Sequence, residues 1–170
     1  MCVHRGINLI LKCPHLKIQF PTDDAGMKEA ALEFQNKSSF GILGGCVGAL
    51  DGLLCWINVP SGRDTPNISA YFSGHYQCYG IKVQAVCDSH YRFTCISCHS
   101  PGGTGDSRAF YGTALSDFLQ DIPCGFYIVA DSAYTLSSSL LVSYTGSDKG
   151  RKENDVFNFY LSQLRIKRQA

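Results

Sequence analysis

Three aspartates stand where an unpaired carboxylate is hard to explain. Asp51 interrupts the most apolar stretch of the chain, CVGALDGLLCWINV at residues 46–59. An ionised side chain there must be neutralised, richly hydrogen-bonded or bound to a metal, because burying an isolated charge is costly. Asp131 ends the apolar run FYIVAD, at the carboxyl edge where α/β sheets place their ligands. Asp106 follows the glycine-rich loop Ser100-Pro101-Gly102-Gly103-Thr104-Gly105. Carboxylates on three separate elements could hold Mg2+ or Mn2+, hard cations that favour oxygen ligands. Two such ions ~3.5–4 Å apart would support phosphodiester hydrolysis. Each aspartate also has an ordinary structural reading: Asp106 as a helix cap, Asp131 as a turn former before Ser132, and Asp51 at a bulge beside Gly52.

A second candidate is Cys95-Ile96-Ser97-Cys98-His99, the C-x-x-C-H spacing of a c-type haem attachment. The flanking alternation places it on a strand, where positions three apart face opposite ways, so Cys95 and Cys98 diverge. Zinc needs four ligands, and no second C-x-x-C or H-x-x-x-H completes the set. Neither haem nor zinc is expected. Nine cysteines, odd in number, irregularly spaced and without a secretory signal, read as reduced thiols. Cys55, Cys87, Cys95 and Cys98 are expected to pack against the sheet core.

The elements that must position these groups follow from periodicity. DDAGMKEAALEFQNK at residues 23–37 reads as an amphipathic helix, with Met27, Ala30, Ala31 and Phe34 on one stripe. Residues 46–59 read as a strand buried on both faces. Ile81, Val83, Ala85 and Cys87 alternate with Lys82, Gln84 and Asp88, and Tyr91, Phe93 and Cys95 with Arg92 and Thr94, which predicts a hairpin around Asp88-Ser89-His90. A helix is predicted from about Asp106 to Gln120, a strand over 126–131, and a last helix from about Asn154 carrying Phe157, Tyr160, Leu161 and Leu164. This order implies a mixed sheet with helices packed on it.

Composition sets the outer limits. The chain has 170 residues, 45% hydrophobic and 17% charged, which suits one globular domain with a substantial core. Its net charge of +1 argues against a strongly electrostatic nucleic-acid binder but leaves room for a local basic patch. The basic runs Lys149-Gly150-Arg151-Lys152 and Arg165-Ile166-Lys167-Arg168 read as solvated charges. No apolar run approaches the roughly 20 residues of a membrane span, and the first residues lack the core of a signal peptide. An intracellular protein, nuclear or cytoplasmic, is expected, with no membrane partner.

These residues carry a specific resemblance. Val47-Gly48-Ala49-Leu50-Asp51-Gly52, then Val83-Gln84-Ala85-Val86-Cys87-Asp88 with Arg92-Phe93, Gly102-Gly103-Thr104-Gly105-Asp106-Ser107, and Ala130-Asp131-Ser132-Ala133-Tyr134 with Leu140-Leu141 and Tyr144 resemble the nuclease domain of PIF/Harbinger-type transposases and their host-domesticated relatives, in the DDE superfamily. Residues 158–166 look like that family's final helix. The resemblance runs from about residue 20 to the end. It implies an α/β, RNase H-like mixed β-sheet flanked by helices, with residues 1–40 a lead-in containing one short helix and 41–170 the nuclease core. It also implies divalent metal, Mg2+ or Mn2+, and DNA strand cleavage and transfer, with transposon ends or host DNA as substrate and a separate DNA-binding protein as a further partner. By position, Asp51 and Asp131 match the two catalytic aspartates, and Asp106 matches the acidic residue of a Gly-Ser-x-His-Asp-like motif, a third metal contact.

The departures from the family pattern carry their own expectations. Where the family places a glutamate shortly after its final Arg-Ile, this chain reads Ile166-Lys167-Arg168-Gln169-Ala170, so the acid falls on Gln169 or is missing altogether. Ala133 replaces a glycine, and Thr104-Gly105 stands where a histidine precedes the aspartate. The expectation is a core truncated at its C-terminal end and without the helix-turn-helix region, with impaired metal-dependent cleavage. The alternative is a catalytically inactive domesticated or truncated remnant that acts as a DNA- or protein-binding module.

Overall fold

The computed structural model describes residues 12–13, 17–146 and 150–165. Lys149 of the first basic run, residues 166–168 of the second, and Gln169 lie outside them. The helices are α1 (Asp24–Lys37), α2 (Asp106–Tyr111), α3 (Ala114–Gln120) and α4 (Lys152–Arg165); the strands are β1 (Cys46–Trp56), β2 (Phe72–Ser73), β3 (Cys78–Cys87), β4 (Phe93–Pro101), β5 (Tyr127–Ala130) and β6 (Leu140–Val142). The main sheet runs β4-β3-β1-β5-β6, and the short β2 pairs with the start of β3. β1, β3 and β4 pair antiparallel, whereas β5 lies parallel to β1 and β6 parallel to β5. This is the expected mixed α/β sheet flanked by helices, consistent with an RNase H-like fold.

Strand alternation sends successive side chains to opposite faces, and each face has its own core. On one face Val47, Leu50, Val86, Ile128 and Ala130 meet Phe110 of α2 and Leu115 and Leu119 of α3. On the other, Cys46 and Val129 meet Leu161 and Leu164 of α4. α1 joins the two: its Met27 and Ala31 enter the first core and its Phe34 the second. Asp23 starts that helix by accepting a hydrogen bond from the Gly26 amide at 2.7 Å. A bulge between Cys46 and Gly48 adjusts the β1–β5 register, after which Ala49 pairs with Val129.

Four local expectations need correction. First, β1 is buried through Leu50, but further along Leu53 is 55% and Trp56 76% exposed. Helix α4 covers the parallel half of the face that carries Leu53 and leaves its antiparallel half open, while Trp56 lies on the other face at the end of the strand. Second, the hairpin forms, but β3 buries Gly80, Lys82, Gln84 and Val86 and leaves Ile81, Val83, Ala85 and Cys87 half-buried. The polar residues turn inward because α2 supplies a partner for them. Third, the helix predicted over 106–120 is two helices. The Thr113 hydroxyl donates to the Phe110 carbonyl and accepts from the Ser116 amide, ending one helix and capping the next. Fourth, Cys55 and Cys98 are exposed and Cys87 only half-buried, whereas Cys95, half-buried, packs against the first core as expected. Strands β2 and β6 are too short to leave a periodic signal.

Cys98 and Cys95 differ in exposure on the strand, in keeping with their predicted divergence. Cys46 is fully buried, and burial pushes its thiol up to about 12. The thiolate is the reactive form. Alkylation of the native protein at pH 8 should therefore label the exposed Cys55, Cys98 and Cys124 and spare Cys46 until denaturant is added. Peptide mapping checks this, and labelling of Cys46 at the rate of Cys55 would contradict the packing.

Candidate functional site

The parallel pairing of β1 with β5 brings the segments that carry Asp51 and Asp131 next to each other. Ala49 pairs with Val129, and both line the α4-side core. Two residues further along β1, alternation puts Asp51 on that same face, and Asp131 is the first residue after β5. Asp51 lies in β1, exposed, with one carboxylate oxygen accepting from the Gly52 amide at 2.9 Å. Asp131 follows β5, half-buried, and accepts from the Ala133 amide at 2.9 Å. This turn-forming contact leaves the rest of the carboxylate available. Asp51 pairs with Ala85 of β3, and burial first, then the nearby charges of Asp88 and Asp51, raise the pKa of Cys87 on that strand.

Asp106 takes a different position. It begins α2 on the opposite face of the sheet, its carboxylate lying over Gly52. A Cβ built on Gly52 would come within 2.1 Å of Asp106 Oδ1 and 3.0 Å of the Tyr134 hydroxyl, so only glycine lets these groups approach β1. The Asp106 carboxylate receives Lys82 Nζ at 3.2 Å and the Gln84 side-chain amide at 3.3 Å. Gln84 in turn accepts the Tyr134 hydroxyl at 2.6 Å. The Lys82 side chain is only 8% exposed, so Asp106 provides the counter-charge that makes its burial tolerable.

Tyr134 is the group common to all three carboxylates. Burial raises its hydroxyl pKa most, and the charges of Asp106, Asp51 and Asp131 raise it further, while the hydrogen bond to Gln84 opposes them. The phenol therefore stays protonated and acts as a hydrogen-bond donor. Sequence reasoning found the three aspartates and missed this network. Lys82 and Gln84 had the right alternation for solvent and gave no signal of burial; only the motif position of Tyr134 pointed to the site.

Among the described residues, no group of three or more His, Cys, Asp or Glu side chains is arranged to hold a metal ion. The donor chemistry nevertheless fits a hard cation at Asp51 and Asp131. Mg2+ is commonly held by one or two carboxylates together with substrate phosphates and water, without an all-protein cage. No described helix is long and apolar enough to cross a membrane.

Comparison with curated proteins and with solved structures gives no match. Residues 50–169 match the sequence model of the DDE superfamily endonucleases, a span that contains Asp51, Asp106, Asp131, Lys82, Gln84 and Tyr134. With well over half of its length matched, and the aspartates placed by a mixed sheet of the corresponding architecture, the chain belongs to the DDE superfamily endonuclease family.

Proposed function

We propose that this chain is a transposase-derived nuclease domain of the PIF/Harbinger type, in which Asp51 and Asp131 hold Mg2+ or Mn2+ against a DNA phosphate. The observation that supports the reading is the parallel pairing of Ala49 with Val129, two residues before each aspartate, which brings the segments that carry Asp51 and Asp131 next to each other. Bound there, such an ion would polarise the phosphoryl oxygen and lower the pKa of an attacking water. Asp51, exposed on its strand, is the carboxylate open to an approaching substrate; Asp131 is fixed by its own turn. The metal contact that the resemblance implies for Asp106 requires its carboxylate to give up Lys82. On the alignment that sets the family's last acid at Gln169, turnover is impaired, since an amide does not replace the charge of a carboxylate ligand.

That same residue favours a second reading, a catalytically inactive module that keeps the fold to bind DNA or a protein. The net charge of +1 supports a division of labour in which a separate DNA-binding partner supplies most of the phosphate contacts. Either reading places the protein where DNA is, in the nucleus or in transit through the cytoplasm.

Ion binding to the native state alone raises its stability. Millimolar Mn2+ should raise the melting temperature of the wild type and leave an Asp51→Ala, Asp131→Ala double variant unmoved. Differential scanning fluorimetry reads the shift, and equal shifts in both proteins would remove the metal site.

A further inference from the structure

Tyr134 belongs to no metal-ligand set, yet it is tied to each element that carries a site aspartate. Its backbone amide donates to the Asp131 carbonyl at 3.3 Å, closing the turn that follows β5. Its ring stands edge-on to Phe110 of α2, with centroids 6.0 Å apart. Its hydroxyl donates to Gln84 of β3, which donates onward to Asp106. The same hydroxyl is what a side chain at Gly52, next to Asp51, would strike. The residue is 5% exposed, so these contacts leave it little freedom.

We propose that Tyr134 is the positioning residue of the acidic pair: through Gln84 and Asp106 it clamps the Asp131 turn against β3 and α2, over Gly52, and so fixes the position of Asp131 relative to Asp51. The proposal rests on the reading of Asp51 and Asp131 as metal ligands. The clamp works from the far side of the sheet. The Asp131 turn has its own short hydrogen bonds, to Ala133 and Tyr134, but these set only its internal shape. The β1–β5 pairing places the chain up to Val129, and beyond it the Tyr134 hydroxyl crosses to Gln84 of β3 and holds the turn there. Lys82 enters the same clamp from the end, because its ammonium holds the Asp106 carboxylate where Gln84 reaches it.

Tyr134→Phe keeps the ring on Phe110 and removes only the hydroxyl. Gln84→Met cuts the same relay from the other side, and serves if the first variant does not fold. Groups that orient metal ligands typically account for about 10–100-fold in metal affinity or activity. Free Mn2+ measured by electron paramagnetic resonance, with the full chain as titrant, should give a Kd about tenfold weaker for either variant than for the wild type. Asp131→Asn in the same titration should lose the binding. In nicking of supercoiled DNA the Mn2+ concentration for half-maximal rate should rise about tenfold while KM for DNA holds, whereas general loosening of the fold would only lower the apparent kcat by reducing the folded fraction. Wild-type Mn2+ affinity in both relay variants, with Asp131→Asn defective, would overturn the positioning role and leave the metal pair standing. Wild-type affinity in all three, Asp131→Asn included, would overturn the metal pair and the positioning role with it.

Discussion

Gln169→Glu is expected to raise Mn2+-dependent nicking of supercoiled DNA by roughly a thousandfold over the wild type, and adding Asp131→Asn should cancel the gain. The size follows from the chemistry asked of the site. A metal ion contributes several kcal/mol of transition-state charge stabilisation in phosphoryl chemistry. If the added carboxylate restores about 4 kcal/mol of it, the rate changes by about three orders of magnitude, since about 1.4 kcal/mol is tenfold. The amide and the acid are close in volume, so the substitution changes charge far more than shape. Gel quantification of nicked circles over time gives the rates. A Gln169→Glu protein no faster than the wild type would show that residue 169 is not where the last acid belongs, and the inactive-module reading would then be preferred.

Asp106→Ala should cost about 3–5 kcal/mol of folding stability, the usual penalty for removing one partner of a buried ion pair. Lys82 is the reason. Its side chain is 8% exposed, and Asp106 is the carboxylate within ion-pair distance of it. Alanine would leave an ammonium in the sheet interior and an amide of Gln84 without its acceptor. The companion variant Asp106→Leu, Lys82→Met removes both charges and should recover most of the loss, since a well-packed apolar pair often matches a buried salt bridge. Urea unfolding followed by circular dichroism measures both. A loss below about 1 kcal/mol in Asp106→Ala would mean that Lys82 finds water or another acceptor, and that the pair does not hold α2 to β3.

The sequence made the elements with strong periodicity legible. Helix α1 was readable from the stripe of Met27, Ala31 and Phe34, and β5 from an unbroken apolar run. The hairpin of β3 and β4 was readable as a hairpin, but its inward face was not. Lys82 and Gln84 look like solvent residues to any rule based on polarity, and only the distant Asp106 and Tyr134 make their burial affordable. The helix break at Thr113 was hidden for a related reason. The apolar stripe continues through Phe110, Leu115 and Leu119, so periodicity reports one helix where a threonine hydroxyl makes two. At the site, Asp51 and Asp131 were visible as carboxylates in apolar runs. The meeting of the segments that carry them depends on the β1–β5 register and the bulge near Gly48, which are tertiary facts.

β1 belongs to two ladders at once, one with its neighbour β3 and one with the remote β5. The first closes a short stretch of chain; the second must bring together segments separated by a whole hairpin and two helices, and long-range closure of this kind is slow to nucleate. The acidic pair straddles the second ladder. The segments that carry Asp51 and Asp131 meet only when that late pairing closes, so a partly folded chain holding the β1–β3–β4 meander displays Asp51 without Asp131 beside its strand.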